Sequence, residues 1–113
     1  MTRPDTRHTR LIEAATLVRD MRLSRVSATR AALSASLAHH DALDPFPTDS
    51  DDPTLQVADL RHRLWAEGRR RALAPVIAAQ EDLLHQQRRE AARAVARCQV
   101  LDQLFRKKRD QPS

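Results

Sequence analysis

Residues 73–105 read LAPVIAAQEDLLHQQRREAARAVARCQVLDQLF. Within them Leu73, Ile77, Gln80, Leu84, Gln87, Ala91, Ala94, Cys98, Leu101 and Phe105 follow one another at strict steps of four and three. An α-helix turns once per 3.6 residues, so a 3.5-residue repeat held over four heptads keeps one stripe turned toward a partner helix. The stretch predicts a coiled-coil seam.

The same helix extends outward in both directions, from about Pro53 to about Arg109. Asp52-Pro53 reads as an N-cap followed by the first helical residue, where proline's missing N–H is not needed. Asp59–Arg63, Glu67–Arg71 and Asp102–Arg106 are acid-first pairs four residues apart, each worth ~0.3–0.5 kcal/mol on an exposed helix. Pro75 conflicts with this reading. Inside a helix it removes a hydrogen bond and crowds the preceding turn, at roughly 3 kcal/mol or a kink. Gly68 adds about 1 kcal/mol. No polar loop surrounds Pro75, so the expectation is one kinked helix. The alternative is a three-helix bundle broken at Pro75.

N-terminal to this helix, residues 43–53 read LDPFPTDSDDP, which three prolines and a run of Asp and Ser make a turn. A first helix is expected before it, from about Asp5 to Leu43. Its main apolar track is Leu11, Ala14, Val18, Met21, Ala28, Ala32, Ala35 and Ala42, weakened by Arg25 and His39. A second track is Ala15, Val26, Leu33 and Leu37. The fold class is therefore all-α, a two-helix antiparallel coiled-coil hairpin with the longer helix second. The whole chain, 1–113, reads as one domain of this kind.

Folding back at 44–53 pairs residues whose numbers sum to about 97. Leu33 then faces Leu64, Met21 faces Val76, and Leu11 faces Gln86 or Gln87. On that register nothing in the chain covers residues beyond about 92. The uncovered tail still carries seam residues, which implies a partner.

Composition supports helices and argues against other classes. The 113 residues include one Gly, two Phe, one Trp and no Tyr, with 31% charged residues. Sandwiches and nucleotide-cradling α/β folds need glycine turns and bulky sheet residues. One Cys makes no disulfide framework, and no Cys/His spacing fits a zinc site. Neither a membrane-spanning run nor a secretory signal is apparent, so the expected compartment is the cytoplasm. Adjacent His39 and His40 project about 100° apart and do not converge on a metal. Asp49, Asp51 and Asp52 lack the ligand spacing of a calcium loop and suit capping instead. Cys98 lies on the seam as a small hydrophobe, and Trp65 reads as a packing residue. With no glycine loop, catalytic triad or paired carboxylates, the chain reads as non-enzymatic, without cofactor or small-molecule substrate.

The net charge is +5, and its distribution is uneven. Residues 1–52 hold seven Arg against eight acids, whereas 53–113 hold thirteen bases against seven acids. Residues 88–109 alone hold eight bases and two acids, including the stripe Arg89, Arg93, Arg97. Solvation alone is the first reading of these arginines, and an acidic protein surface is the favoured partner if there is one. Nucleic acid is the rival, without the aromatic platforms that usually accompany it. A third reading is a homodimerising coiled coil in which two tails pair.

The opening Leu11-Ile12-Glu13-Ala14-Ala15, the polar turn, the longer second helix and the closing AARAVARCQVLDQLFRKKR (91–109) together resemble the flagellar FliJ and virulence-type YscO stalk family of type III export systems. The ending is similar to that family's, with a Leu-acid-x-Leu core before a basic cluster. The resemblance implies a stalk that enters the export ATPase hexamer by the end holding both termini. It also implies contact with the export gate protein and with cargo chaperones. By that resemblance Arg93, Arg97, Leu101, Leu104, Phe105 and Arg106 would lie in or near the ring, beside Arg89. A stripe on the second helix, Ala72, Val76, Ala79 and Leu83, would be the place for a gate contact.

Overall fold

The computed structural model describes residues 3–43 and 51–110. They form two α-helices, α1 (Arg3–Asp41) and α2 (Pro53–Asp110), an all-α antiparallel hairpin with the longer helix second. The expected boundaries hold within two residues. Asp49, expected to suit capping, and the rest of 44–50 lie outside the described residues.

The start of α2 follows from its cap. The Thr54 amide donates to Asp52 Oδ1 at 3.0 Å, and the Gln56 amide donates to the Asp52 carbonyl at 3.0 Å. The first bond uses a donor that a bare helix end leaves open, the second is the first bond of the helix itself, and Pro53 fills a position that has no donor to lose. Further along, Asp59–Arg63 (2.9 Å), Glu67–Arg71 (3.9 Å) and Asp102–Arg106 (3.2 Å) all form.

α2 is continuous through Pro75, so the three-helix alternative is not realised. Pro75 and Arg71, whose carbonyl loses its partner, both lie on the exposed side, where water can solvate the freed group. On the opposite side Leu73 and Ile77 continue the seam through the interruption.

Gly68 is helical, has no positive φ, and an added Cβ would meet nothing within 4 Å. Glycine there costs backbone entropy without serving a turn or a close approach. Gly68→Ala is expected to stabilise the chain by about 0.5–1 kcal/mol, raising the thermal midpoint by a few degrees in a circular dichroism melt. An unchanged or lowered midpoint would contradict the open helical environment described for this position.

The helices pair in two compact units. One joins residues 1–28 to 84–113 and the other spans 29–83. In the first unit, His8 stacks on Phe105 with ring centroids 4.0 Å apart. Arg22 forms an ion pair with Glu90, and Ile12 and Ala15 line a groove with Cys98 and Leu101. These partners have numbers summing to 112 or 113. In the second unit, Leu43 lines a groove with Arg69 and Leu73, and His40 lines another with Ala74 and Ile77, on sums of 112 to 117.

The register expected from the turn, with sums near 97, is therefore wrong, and so is the uncovered tail. Ala94 is 8% exposed and Phe105 6%. Sliding α2 inward lays Phe105, Leu101, Cys98 and Ala94 against the N-terminal half of α1. Burying the Phe105 side chain alone is worth ~1.5–3 kcal/mol. The segment left beyond the last described seam residue of α1 is instead the start of α2, where Leu55, Val57, Leu60 and Leu64 are all exposed.

The seam of α2 lies where its repeat placed it. Ala66, Leu84, Ala91, Ala94 and Phe105 are buried, and Leu73, Ile77, Gln80, Gln87, Cys98 and Leu101 are half-buried. The seam of α1 differs from its main expected track. The half-buried or buried residues, Thr16 aside, are His8, Ile12, Ala15, Arg19, Arg22, Val26, Thr29, Leu33, Ser36, His40 and Leu43. This is a strict four-three series displaced by one residue from Leu11, Ala14, Val18 and Met21, which are exposed. Ala15, Val26 and Leu33 of the second track are in the seam, whereas Leu37 is exposed.

Candidate docking surface

A helix with one apolar stripe uses it once. α1 has two stripes: the seam, and a second series starting one residue earlier, Leu11, Ala14, Val18, Met21, Ala28, Ala32 and Ala35. One residue is about 100° of rotation, so the second stripe flanks the first. Antiparallel pairing brings like flanks of two helices to the same side. In the first unit, Leu11, Ala14 and Val18 accordingly share a groove with Ala94, Arg97 and Leu101.

The residues expected to bind a partner separate into three groups here. Arg93, Arg97 and Leu104 belong to the second series of α2, Arg93-Arg97-Val100-Leu104, on the side of that groove, and all four are exposed. Arg89 and Arg106 are exposed but sit off that series, and Arg106 is engaged by Asp102 at 3.2 Å. Leu101 is half-buried and Phe105 is buried in the seam, so both are corrected from docking residues to core residues. A side chain stacked on His8 has no free face to offer.

The residues that the sequence reading missed as surface are Leu11, Val18, Met21 and Val100, with exposures of 51%, 37%, 45% and 55%. The signal for them was present. A doubled heptad on α1 says that one of its two stripes must remain outside a two-helix hairpin.

The electrostatics of this face are one-sided. Arg22 and Glu90 neutralise each other, as do Asp102 and Arg106. Arg89, Arg93 and Arg97 make no ion pair among the described residues. Of these three, Arg97 borders exposed Leu11 and Val18 in the groove, and Arg93 precedes it on the same series. Such a surface is suited to an acidic helix with an apolar edge: the apolar contacts supply affinity, and the charges supply steering and orientation.

The remaining sequence candidates place simply. His39 is exposed and His40 is half-buried in the seam. Cys98 is a half-buried free thiol in the seam. Trp65 is corrected from a packing residue to a surface one, 57% exposed and next to His62 at 5.8 Å between ring centroids. No described helix is long and apolar enough to cross a membrane.

Comparison with protein families, with curated proteins and with solved structures finds no match to this chain.

Proposed function

We propose that this chain is a non-catalytic coiled-coil stalk or adaptor of a protein-export ATPase, of the kind that its resemblance to the FliJ and YscO stalk family implies. The observation that carries the reading is the exposed basic-apolar face of the unit holding residues 3–28 and 84–110, where Arg93 and Arg97 flank Leu11, Val18 and Leu104. The docking surface is this side of an already paired hairpin. The partner would be the ATPase hexamer, met through acidic and apolar side chains, with the gate protein and chaperones as further partners. The site of action would be the cytoplasmic face of an export apparatus.

The test is co-elution of the purified chain with a flagellar or virulence-type export ATPase hexamer at physiological salt. Arg93→Glu combined with Arg97→Glu is expected to weaken the complex at least about 100-fold, equivalent to ~2.7 kcal/mol. Helicity should be unchanged, because both side chains are exposed and hold no ion pair among the described residues. Binding that survives the double reversal refutes this surface. Tight binding to duplex DNA that falls steeply with salt, and is lost in the same variant, would identify a phosphate backbone as the partner instead.

A further inference from the structure

The second unit, residues 29–83, carries a different face. On α2 the series Trp65, Arg69, Ala72, Val76, Ala79, Leu83 runs at steps of four and three, one residue ahead of the seam Ala66, Arg70, Leu73, Ile77, Gln80, Leu84. On α1 the second stripe continues through Ala32 and Ala35. Antiparallel pairing again puts both on one side, as the shared groove of Ala42, Trp65 and Arg69 shows. Val76 and Leu83 are 46% and 44% exposed, and the alanines are exposed with them.

Each helix thus presents two heptad seams about 100° apart. That is nearly the angle between the two neighbours of a helix in a square four-helix bundle. Among the described residues one neighbour is present, and the other is absent on both helices along the same side. The missing occupant is therefore two helices wide, and its contact must repeat every 3.5 residues.

We infer that this face, where the family resemblance would place a gate contact, instead receives the same face of a second copy of the chain, so that two hairpins close a four-helix bundle around Val76, Ala79 and Leu83. Two observations favour a copy over a foreign helix pair. The face is self-complementary in size, since the alanines of α1 leave hollows opposite the Val and Leu of α2 in the other copy. Between Ala72 and Leu83 the series carries no charge, so two copies meet without repulsion and nothing selects an oppositely charged partner. The corresponding series in the other unit contains Arg93 and Arg97, where like faces would set arginine against arginine.

The experiment is sedimentation equilibrium of the full chain from about 1 to 100 μM, followed in parallel by the emission of Trp65, its single tryptophan. A species of twice 12.9 kDa is expected, with Trp65 emission shifting to shorter wavelength as it forms. Val76→Glu with Leu83→Glu is expected to weaken association at least about 100-fold while leaving far-ultraviolet dichroism at low concentration intact. Should that variant lose helicity, Ala35→Arg, on the other helix of the face, is read in its place. A chain monomeric at 100 μM overturns the inference, and so does dimerisation that survives these substitutions.

Discussion

Phe105→Ala is expected to lower the free energy of unfolding by about 3 kcal/mol, at the lower edge of the range for truncating a buried phenylalanine. Phe105 is 6% exposed and stacks on His8 at 4.0 Å. Removing the ring loses its burial, leaves a void against α1, and strips His8 of the surface it covers. For a small two-helix structure with a total of ~5–15 kcal/mol at most, that is a large fraction. The control is its neighbour Leu104, 47% exposed on the docking side, where Ala should cost under about 1 kcal/mol. Urea unfolding at fixed protein concentration, followed by dichroism, measures both. The contrast tests the register itself: were the tail uncovered, the two substitutions would be equally mild.

The second large effect is a gain. Gln80 and Gln87 occupy seam positions, and the side-chain carbonyl oxygen of each is buried without a hydrogen-bond partner among the described residues. A buried carbonyl that has given up water and found no donor costs roughly 1–3 kcal/mol. Leucine removes that cost and adds apolar burial at a position coiled coils favour for it. Replacing both Gln80 and Gln87 with Leu is expected to stabilise the chain by about 2–3 kcal/mol in the same urea assay. Gln103→Leu, on the exposed side of α2, should change it by no more than about 0.5 kcal/mol. A double variant no more stable than the parent would show that the two amides are satisfied in solution.

Phe105 and the two glutamines also show what a seam repeat does and does not disclose. Their membership of the seam was legible, because a four-three series from Leu73 to Phe105 has one reading in a helix. The start of α2 at Pro53 and the Asp52 cap were legible for local reasons, as proline and aspartate act within one or two residues of themselves. Pro75 was a local signal that tertiary packing outweighed. Its lost bond faces solvent, and the seam on the far side does not notice it.

On α1 the sequence offered two stripes one residue apart, and the more apolar of them is the one left outside. Composition alone favoured Leu11, Val18 and Met21 for the core. The pairing chose Ile12, Ala15 and Val26 together with Arg19 and Arg22, one of which answers Glu90 across the seam. That choice needs both helices at once.

The sequence by itself thus determined two helices, their ends, the buried stripe of the longer one, and the concentration of positive charge near its C-terminus. All of these are set by spacing, by capping, or by residue type within a few positions. Only the tertiary structure decided how far the helices slide along each other and which stripe of α1 faces inward. A heptad repeat looks the same after every slip of seven residues. The chosen slip is the one that buries Phe105 and Leu101, and that energy belongs to a pair of distant residues rather than to either stretch alone. It moved Leu101 and Phe105 from the surface to the core, and brought Leu11, Val18 and Met21 out to stand beside the arginines.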